Sequence, residues 1–348
     1  MGLKDIREID YNMKELSSSV IDGIEWFDID EKIINKFMQG KAFKNGEFNR
    51  LNDVFVSENV ETLKRHPAGF NIEFKAKTST IKIKAKLDGA AYMSHMTAVG
   101  TIGFSLYVKK NNKWLFVAST KINKSEYEVD LLNEINDKEY TYRLYFPLYQ
   151  ALNSLSIGIK LPGYLEFIKE DRETLLIYGT SISQGGCATR PGMDYGAILG
   201  RMLNLNVINL GFSGSCKIEQ SMCEIINDVI KENNVTKIIF EVESNSPSYE
   251  HFETRFSYLM SNLYNKENID IYLISHFDEA LPFVNNRIKK HRYGFRKIQK
   301  EVALKFGIHY IDGIRLIKDI DCEGSVDGVH LTDLGFYDVA KKLSKIIK

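Results

Sequence analysis

Two short stretches of this chain together offer a nucleophile, a base and an acid to orient the base. The first reads Gly179-Thr180-Ser181-Ile182-Ser183-Gln184-Gly185-Gly186. Its glycines let a ligand approach the backbone closely, which opens the Ser181 hydroxyl to an acyl carbon. The same residue types also make an ordinary turn. They match neither the phosphate loop G-x-x-x-x-G-K-[ST] nor the nucleophile elbow G-x-S-x-G. The second stretch reads Ser325-Val326-Asp327-Gly328-Val329-His330-Leu331-Thr332. A nucleophilic serine needs an imidazole to accept its proton and a carboxylate to orient that imidazole. Residues three apart lie on one side of a turn, so Asp327 can reach one ring nitrogen of His330 while the other faces the serine. A plainer reading, compatible with the first, makes this a loop in which Thr332 caps the last helix.

Attack on a carbonyl also requires N–H donors preset where negative charge develops. Two loops supply candidates. Asn209-Leu210-Gly211-Phe212-Ser213-Gly214 presents the amide of Gly211, unobstructed by a side chain, and Glu243-Ser244-Asn245-Ser246-Pro247 presents the side-chain NH₂ of Asn245. A polar turn is the simpler account of the latter. The chemistry these groups describe is acyl transfer from an ester to Ser181 and then to water, with no metal and no organic cofactor required.

Such residues act only if the fold carries them to one place. From about residue 173 onward the pattern alternates strand and helix: strands at 174–178, 206–211, 237–242, 269–275 and 308–312, helices over about 194–204, 217–233, 249–264, 286–305 and 332–347. Strands separated by helices of this length form a parallel sheet covered on both faces. Ligands bind beyond the carboxyl ends of such strands, which is where Ser181, Gly211 and Asn245 fall. The first half differs. Segments 69–77, 79–87, 100–110, 113–120, 140–149 and 154–160 alternate apolar and polar residues and are rich in aromatic and β-branched side chains. They predict an antiparallel sandwich or jelly roll. Residues 10–50 read as a lead-in arm with one or two strands. The expected division is 1–165 for the β-sandwich and 172–348 for the α/β domain, with the change of pattern within 161–173.

Composition narrows the function. Lys plus Arg and Asp plus Glu both number 46, so no net field draws a nucleic acid or an anionic membrane. No run of 18 apolar residues suggests a membrane span, and the charged first thirty residues lack the apolar core of a secretory signal. A cytoplasmic location is expected. A small-molecule or saccharide ester is the expected partner, and self-association into a homo-oligomer is compatible with the sequence. Cys187, Cys216, Cys223 and Cys322 lack C-x-x-C spacing or adjacent histidines, which fits neither a disulfide framework nor a zinc site.

The four blocks G-T-S-I, N-L-G-F-S-G, an Asn after the third strand, and D-G-V-H before the last helix resemble those of the SGNH (GDSL-like) hydrolases. The likeness covers about 174–348. It implies a flavodoxin-like three-layer α/β/α domain, Ser181 as nucleophile, and His330 as base with Asp327 as its orienter. It also implies an oxyanion hole made by the amides of Ser181 and Gly211 with Asn245. More narrowly, residues 179–195 and 209–215 resemble a bacterial subgroup with an N-terminal sandwich carrying a G-x-D-L-Y signature. Here that signature reads Gly103-Phe104-Ser105-Leu106-Tyr107, with Ser105 in place of the acid, and the third block reads Glu243-Ser244-Asn245-Ser246 rather than G-x-N-D. By analogy with carbohydrate esterases, deacetylation of a saccharide or similar polar ester is the expected activity. A lipid or thioester hydrolase, and an inactive glycan-binding protein, are the alternatives.

Other polar residues carry less signal. His66 and His95 are expected to be structural, with a place in the pocket as the alternative. His251, His291 and His309 read as surface or packing residues, His276 as a neighbour of the cleft, and Arg190 as either a substrate contact or a surface residue.

Overall fold

The computed structural model describes residues 4–278 and 280–347. In the first half, alternating patterns become β1 (Ile24–Asp28), β2 (Asn71–Lys77), β3 (Ile81–Leu87), β4 (Ser105–Lys110), β5 (Lys113–Ser119), β6 (Glu126–Leu132), β7 (Tyr140–Tyr145), β8 (Leu152–Lys160) and β9 (Tyr164–Ile168). They form two antiparallel sheets, β1-β8-β3-β6 and β5-β4-β7-β2-β9. The period of two is plain in β3, where Ile81, Ile83, Ala85 and Leu87 are buried while Lys84 and Lys86 face solvent. Between the sheets lies a core that includes Phe70, Phe74, Phe104, Phe146, Val129 and Ile157.

Three details differ from the sequence reading. The expected 100–110 strand begins only at Ser105, and its first residues lie in a helical turn, Ala98–Ile102, capped by Thr97, whose side chain accepts from the Gly100 N–H. Strand β9 pairs with β2, so the sandwich runs on past residue 165 to Ile168. The lead-in contributes one strand, within the expected one or two, but the stretch 42–60 packs on the other half, where Ala42, Phe43, Leu51 and Val60 join the α/β core.

The second half contains β10 (Thr174–Gly179), β11 (Asn206–Gly211), β12 (Val235–Glu241), β13 (Asp270–Ile274) and β14 (His309–Ile311). All neighbours are parallel, in the order β11-β10-β12-β13-β14. This is the flavodoxin-like arrangement, in which chain direction across the sheet reverses beside the first strand. Residues of β10 alternate between two cores. Leu176 and Tyr178 pack with helices Gln220–Glu232, Tyr249–Asn262 and Asn286–Phe306. Leu175 and Ile177 pack with helices Tyr195–Leu203 and Asp333–Ile346 on the other face. Every residue of β10 is buried, as expected for a parallel strand covered on both sides.

Buried polar groups join the halves. Arg172, in the segment between β9 and β10, donates to Glu73 of the sandwich at 3.0 Å, and Arg143 meets the other oxygen of the same carboxylate. Arg50 is fully buried and donates to the carbonyls of Asn209 (3.2 Å), Gly211 (2.6 Å) and Leu63 (2.8 Å). Its guanidinium lies 4.5 Å from the centre of the Phe212 ring. A residue of the first half thus holds the end of β11, where the second sequence block begins.

Candidate active site

Ser181, the expected nucleophile, stands just beyond the end of β10. At Gly179 any Cβ would come within 2.1 Å of Ser183 Oγ and 2.9 Å of the Glu241 carbonyl, so only glycine lets the chain turn this tightly. Ser181 then opens the short helix Ser181–Gln184, N-capped by Thr180, and Gly185 at φ 102° ends it. Behind the turn, Glu241 at the end of β12 is fully buried. Its Oε2 accepts from Thr180 N (3.1 Å), Thr180 Oγ1 (2.6 Å) and Ser183 Oγ (3.1 Å). Burial raises the Glu241 carboxyl above the usual range, and the Thr180 hydrogen bonds oppose that rise. Glu241 is a positioning residue absent from the sequence reading. Its signal is a carboxylate inside the apolar run Lys237-Ile238-Ile239-Phe240-Glu241-Val242.

Opposite, the 325–331 loop is folded back on itself. A bridge pairs Ser325 with Leu331, Val326 N donates to His330 O at 3.0 Å, and Gly328 takes φ 85° at the tip. Asp327 Oδ1 accepts from the backbone N–H groups of Val329 (2.9 Å) and His330 (2.7 Å). Its Oδ2 lies 2.7 Å from His330 Nδ1, and His330 Nε2 lies 2.9 Å from Ser181 Oγ. Hydroxyl, imidazole and carboxylate therefore form one connected chain. Burial raises the Asp327 carboxyl, but the His330 ring and the two backbone donors outweigh it and hold the group at about 2. Thr332 occupies the cap position of the last helix without a side-chain capping bond. Asp333 instead accepts from Thr189 N at 2.9 Å, tying that helix to the segment after the serine turn.

Of the expected oxyanion donors, Gly211 does not fit. Its N–H is already donated to Asn209 Oδ1 at 2.8 Å. A Cβ there would come within 2.2 Å of Gln184 N, so this glycine serves to pack β11 against the serine turn. Three residues on, Gly214 is exposed, adopts φ 66°, and its Cβ direction opens to space. Among the described residues its N–H has no protein acceptor. The signal was present in the same motif; only the choice between two glycines differs. Asn245 accepts from Cys216 N at 3.2 Å through Oδ1, which fixes the amide and leaves Nδ2 without a protein acceptor among the described residues. The departure from G-x-N-D has a local reason: Glu243 is buried, accepts from His276 N (3.0 Å) and Gln299 Nε2 (2.8 Å), and pairs with Arg292 at 3.0 Å. That network anchors the Asn245 loop to helix Asn286–Phe306.

A cavity of about 350 Å³ lies between the halves, lined by Thr62, His66, Tyr92, Met93, Tyr149 and Gly214 among others. Tyr149 Oη donates to the Ser181 carbonyl at 3.3 Å, so the cavity abuts Ser181. His66 is buried, and burial together with Arg50 and Arg65 depresses it to about 4. Its Nδ1 accepts from Gln184 Nε2 at 3.4 Å, leaving the Nε2–H as the free donor. A larger cavity of about 570 Å³, lined by Asp30, Glu31, Phe48 and Lys64 among others, touches no residue of the serine, histidine and aspartate set. Arg190 is half-buried: it donates to Tyr107 Oη at 2.5 Å and stacks 3.7 Å from the Phe116 ring centre, at the face of the sandwich. His95 lies beside the site, its ring centre 5.9 Å from that of His330. His276 is fully buried below the cleft.

A flavodoxin-like domain with serine, histidine and aspartate at the carboxyl edge of its sheet defines the SGNH class of hydrolases. Residues 172–348 match the GDSL-like Lipase/Acylhydrolase family, and residues 24–162 match the GxDLY N-terminal domain of SGNH-hydrolase-type esterases. The chain belongs to this GDSL-like hydrolase family. The GxDLY match spans Ser105 even though the signature acid is missing; the Ser105 hydroxyl is buried and has no hydrogen-bond partner among the described residues. Among solved structures, the chain is similar to a protein described as a GDSL-like lipase from Bacteroides ovatus, with 28% identity, a TM-score of 0.84, and 93% and 97% of the two chains covered. It shares its fold with the salicylyl-acyltransferase SsfX3 of a tetracycline biosynthetic pathway, at 14% identity, TM-score 0.70 and coverage of 93% and 96%. It also shares it with a family two carbohydrate esterase from Clostridium thermocellum, at 13% identity, TM-score 0.59 and coverage of 81% and 94%. None of the curated proteins matches the chain. No helix of the described residues is long and apolar enough to cross a membrane.

Proposed function

We propose that this hydrolase removes short acyl groups, acetyl above all, from a polar carbohydrate-like ester through an acyl-enzyme. The observation that carries the reading is the connected Ser181–His330–Asp327 chain beside a cavity with polar and aromatic walls contributed by both halves. His330 Nε2 takes the Ser181 proton as Oγ attacks the acyl carbon, and Asp327 stabilises the imidazolium that results. The Ser181 amide, the Gly214 amide and Asn245 Nδ2 receive the developing oxyanion. His330 then protonates the departing sugar hydroxyl, and water enters by the reverse sequence to release the acid. In this reading His66 Nε2–H and the ring of Tyr92, which line the cavity, meet the alcohol portion, as sugar-binding pockets pair a few polar groups with aromatic walls. Carbohydrate esterases among the fold relatives support the substrate class by analogy.

The test compares purified wild type with Ser181→Ala on p-nitrophenyl esters from C2 to C12 and on acetylated saccharides. A rate that falls steeply beyond C2–C4, acetate release from a saccharide, and a loss of several orders of magnitude in Ser181→Ala are the expected results. Wild-type turnover by Ser181→Ala rules out the mechanism, and a preference for long chains rules out the substrate class.

A further inference from the structure

The nearest neighbours of the catalytic imidazole include two side chains that the ester mechanism does not use. Cys187 follows the serine turn, and His95 comes from the loop that joins β3 to the helical turn at Ala98–Ile102. One ligand atom from each of His95, Cys187 and His330 lies within 4.8 Å of the other two. Zinc–nitrogen and zinc–thiolate bonds set tetrahedral ligand atoms about 3.3–3.8 Å apart, so closing this set takes a movement of about 1 Å. Such a movement is accessible, because His95 is exposed on a loop and its ring makes no side-chain hydrogen bond among the described residues. Cys187 is buried, reduced and likewise without a hydrogen-bond partner among them. It is held at φ 72°, a conformation unusual for a residue with a side chain.

We infer that His95, Cys187 and His330 form a binding site for a thiophilic divalent cation of the zinc class, and that occupancy switches hydrolysis off. Two imidazoles and one thiolate are a preferred donor set for such ions, whereas magnesium and calcium favour oxygen. On binding, the Cys187 thiol gives its proton to solvent and its sulfur forms the metal bond. Inhibition follows from the geometry of His330. Its Nε2 is committed to Ser181 and its Nδ1 to Asp327, so a metal on either nitrogen removes one link of the proton-transfer chain. The regulatory part of this inference rests on the serine mechanism proposed above; the cation site does not.

Chelator-treated full-length protein is titrated with Zn²⁺ by calorimetry and with Cd²⁺ by ultraviolet absorbance, which reports the cadmium–thiolate charge-transfer band. Hydrolysis of p-nitrophenyl acetate is followed in parallel. One equivalent of metal, a Cd²⁺ band, inhibition that tracks occupancy, and indifference to Mg²⁺ are the expected results. His95→Ala and Cys187→Ala should keep the basal rate while metal affinity falls at least tenfold, and the band should vanish in Cys187→Ala. Cys187→Gly, which suits the left-handed backbone, repeats the test if the alanine variant misfolds. Ser181→Ala, in which Nε2 is released, should still bind one equivalent. Absence of the band, or unchanged zinc inhibition in the His95 and Cys187 variants, overturns the site. Metal binding by a protein with no esterase activity supports the cation site and overturns the serine mechanism instead.

Discussion

Replacing Asp327 by Asn separates the orienting role of the carboxylate from its structural one. Oδ1 of the aspartate accepts two backbone N–H groups, at 2.9 and 2.7 Å, and an asparagine oxygen can keep both. Oδ2 faces His330 Nδ1 at 2.7 Å, and there the substitution places an NH₂ group. Two donors cannot share that line, so Nδ1 becomes the acceptor and the ring proton moves to Nε2. The nitrogen 2.9 Å from Ser181 Oγ is then protonated and cannot take the hydroxyl proton. The same tautomer reversal in serine hydrolases lowers kcat by about 10⁴-fold; a loss of about 10³- to 10⁴-fold corresponds to about 4–5.5 kcal/mol of barrier. KM should change little. The Asp327 side chain is about one-third exposed, 36%, so solvent screening keeps the stability change below about 1 kcal/mol. Steady-state kinetics on p-nitrophenyl acetate, paired with thermal denaturation, measures both quantities. An Asp327→Asn enzyme within tenfold of the wild-type rate refutes the orienting role. The depressed carboxyl adds a pH test with a defined sign: its contribution to stability is present above the ordinary value of 3.8 and disappears as pH falls towards about 2.

Three further outcomes follow from the geometry. Asn245→Ala removes the Nδ2 donor while Cys216 N loses a 3.2 Å partner, and kcat should fall about 10²- to 10³-fold with KM within a factor of a few, measured on a short-chain ester. Glu241→Leu strips three donors of their acceptor beneath the serine turn; stability should drop by about 3 kcal/mol in urea titrations, and kcat should fall with it. Glu241→Gln should recover part of both, and a Leu variant as stable as wild type would contradict the positioning role. His66, held near 4 against an ordinary 6.5, makes the folded protein lose up to about 3 kcal/mol as pH falls from 6.5 to about 4, because only the unfolded chain takes up the proton. His66→Gln should flatten that part of the stability–pH curve, and an unchanged slope would show that other groups set it.

Much of this site was readable from the chain because its parts follow strand ends. Ser181 and Asn245 stand at the first turns after apolar runs, and Asp327 and His330 are separated by a single turn, so type and spacing suffice to mark them. Glu241 is marked in the sequence only as a carboxylate within the apolar run 237–242, which names no partner for it. Only in the folded protein does it reach Thr180 and Ser183, some sixty residues away in sequence (61 and 58 positions). Arg50 was equally hidden: its fully buried guanidinium serves carbonyls 159 and 161 positions further on. The two glycines of the second block show a finer limit. Gly211 and Gly214 are alike as letters, yet the Asn209 side chain claims one amide and a left-handed turn frees the other.

The chain by itself determined the period-of-two alternation of the first half, the strand–helix rhythm of the second, and the local turns that present a serine and an Asp–x–x–His pair. Those are consequences of near-neighbour sterics and of which side chains avoid water. Tertiary structure decided which groups meet. Ser181 and His330 are 149 positions apart, and His95 and Cys187 join them from separate loops, because strand order and packing, not spacing, set the distances between polar atoms.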